Sequence, residues 1–207
     1  MSWLEEQFSL LNEFLGSNFR RLVRRCAEGM LLAALLGFLA SLLWAEKMSA
    51  ILELIFSSIL ESGALDESGG LNPFALLMNN WRAMLTSALY GLIPFLFLPA
   101  LSLLINGAMV GMVGAMCVLS GLSPFYFLAG ILPHGILELP ALILSASCGV
   151  YLCRNMCRLV TSSPKRIPMA EVLGDLLRVL VMLVAPMTVA AAFIECYVTP
   201  AIMGLLS

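Results

Sequence analysis

Apolar positions in this chain fall into long runs, separated by short breaks that carry proline, glycine or charge. The N-terminal stretch is patterned differently. Leu4, Phe8, Leu11, Leu15, Phe19 and Leu22 recur every three or four residues, with Glu5, Glu6 and Glu13 away from that stripe. This predicts an amphipathic helix over 1–25, suited to lying along a membrane surface or against a partner protein.

From about Cys26 to Ala45 the chain is almost continuously apolar, enough for a helix of ~20 residues to cross a bilayer. Further runs at 84–104, 108–122, 125–153 and 176–197 predict an all-α polytopic membrane protein. It has five transmembrane helices in one membrane domain, 26–207. Residues 48–60 read as a helix at the outer surface, and Glu61 to Pro73 as a loop rich in Gly, Ser and Asp.

The breaks carry their own predictions. Pro94 and Pro99 are expected to kink the second run, and Asn106-Gly107 to form the tight turn into the third. Gly121 to Pro124 turns the chain again, and Pro133 with Gly135 interrupts the fourth run. Near 161–175, Pro168 and Glu171 mark the start of a short helix leading into the last run.

Composition agrees with the pattern. Of 207 residues, 61% are hydrophobic and 12% charged, with mean hydropathy +0.99; an ordinary soluble domain has about a quarter charged residues. The net charge of −2 and the absence of a basic cluster give no reason to expect nucleic acid as a partner. Charge placement sets an orientation. Arg20, Arg21, Arg24 and Arg25 precede the first run, and Arg154, Arg158, Lys165, Arg166 and Arg178 flank the gap before the last. Only Lys47 and Arg82 fall elsewhere. The positive-inside rule then makes the N-terminus cytoplasmic and the C-terminus extracytoplasmic, in the cell (inner) membrane.

Candidate chemistry lies inside the fourth run. His134, the only histidine, and Glu138 sit one helical turn apart near mid-membrane. Ionisable groups at that depth either join helices through polar contacts or line a path for protons, ions or small solutes. Pro133 and Pro140 free backbone acceptors close by. Asn79, Asn80 and Asn106 are the candidate amide partners, with Asn80 preferred. Glu195, late in the last run, is the other acid within reach. A zinc site of the hydrolytic kind needs three protein ligands, and neither a second histidine nor a CxxC pair supplies them. No metal, no cofactor and no catalytic residue is therefore expected. The six cysteines read as small hydrophobes. Gly107-x-x-x-Gly111 lets helices approach closely, either within one subunit or in a homo-oligomer.

Taken together, Asn79-Asn80, Gly91, Asn106-Gly107 with Gly111, and His134-Gly135 followed by Glu138, Pro140 and Gly149 resemble the stage II sporulation protein M family of small polytopic membrane proteins. The resemblance implies a non-enzymatic scaffold in the lipid bilayer that anchors envelope partners, cell-wall hydrolases among them. Those contacts would use the outer segment 46–82 and the cytoplasmic helices. A transporter or channel subunit built around His134 and Glu138 is the alternative.

Overall fold

The computed structural model describes residues 2–61 and 72–205. Among these residues the fold is all-helical. Helix α1 (Trp3–Gly16) starts at a capping box, in which Ser2 and Glu5 exchange hydrogen bonds. Its stripe does not continue unbroken to residue 25. Ser17 ends α1 and caps α2 (Asn18–Leu43) by accepting from the Phe19 amide at 3.2 Å. Nor is α1 purely a surface helix. Leu11 and Phe14 are buried, and Phe14 meets the Tyr151 ring edge-on at 5.2 Å, whereas Trp3, Leu4 and Phe8 stay exposed.

Helix α3 (Ala45–Glu61) follows, and the sequence-read loop falls largely at 62–71, outside the described residues. Asn72 then caps α4 (Pro73–Leu89), accepting from the amides of Phe74 and Ala75. A 3-10 turn, Tyr90–Leu92, ends α4. Next come α5 (Leu98–Leu119) and α6 (Pro124–Val160). The last helical stretch, 169–204, joins α7 (Met169–Val179), α8 (Ala185–Phe193) and α9 (Thr199–Gly204) through two π-helical segments, Leu180–Val184 and Ile194–Val198. Among the described residues, four helices are long and apolar enough to cross a membrane: α2, α5, α6 and the stretch 169–204.

Two predicted breaks are absent, and the kink expected at Pro94 is a full reversal. Asn106-Gly107 is no turn; both lie inside α5. The Asn106 amide donates to the Ser102 carbonyl at 2.8 Å, one turn back, so its polar side chain is satisfied within the helix. The true reversal is at 93–97, around Pro94, where Phe95 and Phe97 take left-handed backbone angles of 67° and 47°. Non-glycine residues rarely hold that conformation. Here Cys153 and Cys157 secure it. The Cys153 thiol donates to the Ile93 carbonyl at 3.4 Å, and the Phe95 amide donates to the Cys157 sulfur at 3.1 Å. Pro133 and Gly135 likewise fail to interrupt α6, which runs unbroken for 37 residues, roughly 55 Å at helical rise. Each proline costs one backbone bond, and the packed neighbours hold the helix through it.

Packing fixes the directions. Helix α2 lies parallel to α5: Met30 faces Gly107 and Ala34 faces Gly111. A Cβ at Gly107 would sit 2.5 Å from the Met30 carbonyl, so glycine is required for this approach. Gly107 and Gly111 thus join two helices of the same subunit. Helix α4 lies parallel to α6, with the Ser145 hydroxyl donating to the Met84 carbonyl and Gly91 against Gly149. The stretch 169–204 runs antiparallel to α6.

Candidate functional site

In the antiparallel contact between α6 and the last helical stretch, matched steps of four residues face each other. Gly130 meets Met203, His134 meets Thr199, and Glu138 reaches the neighbourhood of Glu195. Each pair follows from spacing alone, since residues four apart share a helical face. His134 therefore presents its two ring nitrogens to different partners. Nδ1 lies 3.3 Å from Thr199 Oγ1, and Nε2 lies 3.9 Å from Glu138 Oε2. One ligand atom from each of His134, Glu138 and Glu195 lies within 4.8 Å of the others. All three residues are half-buried.

The π-helical segment Ile194–Val198 carries Glu195 and delivers Thr199. Thr199 Oγ1 donates to the Ile194 carbonyl at 3.3 Å, the five-residue span that this segment creates. Single π turns inside α-helices often mark functional positions, because they change the register of the side chains that follow.

The sequence-read amides go elsewhere. Asn80 sits on the packed side of α4, its Nδ2 buried without a hydrogen-bond partner among the described residues. Asn79 is exposed on the same helix. Asn106 is occupied with Ser102 in α5. No hydrogen bond joins any of the three to His134 or Glu138. Pro133, Gly135 and Pro140 lie on α6 beside the pair, and the Gly135 Cα faces Ile131 and Leu139 of its own helix. Spacing rules missed Thr199 and the convergence of Glu195. The available signal was Glu195-x-x-x-Thr199, a polar pair one turn apart in an apolar helix, mirroring His134-x-x-x-Glu138.

A second polar feature lies at the opposite end. A cleft of about 670 Å³ opens between α1, α2, α6 and α7, lined among others by Glu13, Arg154, Arg158, Glu171, Asp175 and Arg178. Arg178 ties its walls together, bonding Gln7 of α1 and Asp175 of α7, each at 2.9 Å. This basic end holds the cleft, and the far end of the bundle holds His134 with its carboxylates. The two are separate sites.

Helices of this length and apolarity define a membrane protein, with one polar cluster set between two of its helices. The chain belongs to the stage II sporulation protein M family, whose model matches residues 27–200. Neither a curated protein nor a solved structure matches it. Family membership suggests a membrane protein of the sporulation type.

Proposed function

We propose that this protein is a five-crossing scaffold of the cell membrane that holds partner proteins beside it and is not itself an enzyme. The fifth crossing is α4 with its 3-10 turn. It lies parallel to α6, and the reversal at 93–97 meets Cys153 and Cys157, next to the basic end of α6. Helix direction then alternates through α2, α4, α5, α6 and the last stretch, which supports a cytoplasmic N-terminus and an extracytoplasmic C-terminus. Nine of the eleven Lys and Arg residues fall on the cytoplasmic side in this arrangement.

The observation that carries the scaffold reading is the exposed face of α4. Asn79, Arg82 and Thr86 recur at spacings of three and four, and all are exposed. They form a polar stripe beside an apolar one made by Met78, Trp81, Leu85 and Leu89. Arg82 has no side-chain partner among the described residues. It stands nine residues from Pro73 and nine from Gly91, roughly 14 Å from either end. At that depth an Arg facing lipid costs ~2.5–3.5 kcal/mol on insertion scales. A partner's transmembrane helix carrying Asp or Glu would offset that cost. A symmetric dimer through this face would set Arg82 beside Arg82, so charge favours a different chain. The family likeness makes membrane-anchored cell-wall hydrolases the first partners to examine.

Affinity purification from native membranes tests this. Wild type is expected to retain an envelope protein with an intramembrane acid, Arg82→Leu to lose it, and Arg82→Asp to regain it when the partner's acid is changed to Arg. The same partners on wild type and Arg82→Leu would contradict the reading.

A transport role is the second reading, favoured by the half-buried His134, Glu138 and Glu195 within the helical bundle. It requires that Glu138→Gln abolish a proton or solute flux in vesicles while leaving partner recovery intact.

A further inference from the structure

The two ring nitrogens of His134 face different partners, Nδ1 toward Thr199 and Nε2 toward Glu138. Thr199 has one hydroxyl proton and gives it to the Ile194 carbonyl. With that proton on the carbonyl, the Thr199 oxygen accepts from a protonated Nδ1 across the 3.3 Å contact, the tautomer that frees Nε2 for a ligand. A neutral ring held this way turns the Nε2 lone pair toward Glu138 at 3.9 Å. Three electron-rich atoms, one from the ring and one from each carboxylate, then converge within 4.8 Å.

Charge arithmetic sets out the ways of relieving that crowding. A protonated imidazole balances one carboxylate, and the other must then be protonated, because uncompensated charge is expensive in a low-dielectric setting. A divalent cation with neutral imidazole closes the balance. The arrangement also has the outer-sphere feature of metal-bound histidines: the distal ring nitrogen donates to a fixed acceptor, which orients the ring and fixes its tautomer. One imidazole and two carboxylates are borderline-to-hard donors, a set that suits zinc or another divalent first-row ion. The donors span α6 and the π-helical segment, so only the folded bundle assembles them.

We infer that His134 Nε2, Glu138 and Glu195 form a divalent-metal site, with Thr199 as the residue that positions the imidazole. Its ligands come from two elements 57 residues apart in sequence, Glu138 and Glu195, which is why motif spacing could not reveal it. Three protein ligands leave one tetrahedral position open on the half-buried side. The inference is independent of the scaffold reading: it stands or falls on metal content, whatever the partners are.

The test uses the full chain, purified in detergent, stripped with chelator and re-equilibrated with limiting Zn²⁺ before elemental analysis. Wild type is expected to retain about one zinc per chain, and its thermal midpoint to rise on adding Zn²⁺. Glu138→Gln and Glu195→Gln, which keep side-chain size, are expected to lose at least ~10-fold in zinc affinity and most of the midpoint shift. Cys196→Ala, beside Glu195 but outside the ligand set, is expected to bind as wild type does. Should one Gln variant fail to fold, the other and His134→Gln decide. Zinc absent from wild type, or retained equally by the folded Gln variants, would overturn the proposal. So would zinc lost on Cys196→Ala alone.

Discussion

Two helix seams in this protein solve the same problem in opposite ways. Between α2 and α5, backbones touch: Gly37, Gly107 and Gly111 face carbonyls of the opposing helix, and a Cβ at any of them would collide. Between α6 and the last helical stretch, the helices meet through His134, Thr199, Glu138 and Glu195. Lipid is as apolar as leucine, so neither seam is driven by the hydrophobic effect; close packing holds one, polar contacts the other. The difference bears on function. A seam sealed by glycine presents no ligand atoms, whereas a seam built from half-buried donors brings three of them together.

The largest expected effect comes from breaking the sealed seam. Gly111→Ala places a methyl against the Ala34 carbonyl, which belongs to backbone and cannot swing away. Overpacking of this kind costs ~1–3 kcal/mol, and a thermal midpoint lower by roughly 5–10 °C is expected. Gly29→Ala is the control on the same seam. Its Cβ would meet only Leu104 Cδ2 at 3.5 Å, an ordinary contact, and the midpoint should hold or rise slightly. Equal losses in the two variants would refute the close-contact account.

The polar seam should respond more gently and in a different observable. Thr199→Val keeps the shape but removes the acceptor for His134 Nδ1. Zinc affinity is expected to fall ~10–100-fold, as for outer-sphere partners of other metal sites. The metal-free midpoint should move little. A large loss of midpoint with zinc affinity unchanged would make Thr199 structural glue.

How much of this was legible in the sequence depends on whether the signal was local. The apolar runs showed a helical membrane protein and led to an expectation of five spans. Four helices among the described residues are long and apolar enough to cross a membrane. The division of 84–122 into two spans went wrong because Asn106-Gly107 is the stronger turn dipeptide on paper. Inside α5, however, the Asn106 amide finds Ser102 one turn back, and Gly107 serves the α2 contact. The actual reversal depends on thiols of Cys153 and Cys157, some sixty residues downstream, which no local pattern reports. Arg82, read as the end of the outer segment 46–82, lies in the middle of α4, a helix the apolar runs did not mark. His134 and Glu138 were visible as a pair because they share one helix. Glu195 and Thr199 joined them only through the antiparallel register of two helices, a tertiary fact.

The central claim is that the polar seam holds a ligand that the glycine seam excludes. X-ray absorption at the zinc K edge, on zinc-reconstituted full-length protein, reads that most directly. The account predicts one zinc per chain in a shell of nitrogen and oxygen at about 2.0–2.2 Å, with a single imidazole contribution. A shell containing sulfur at about 2.3 Å, or spectra unchanged by Glu195→Gln, would contradict it.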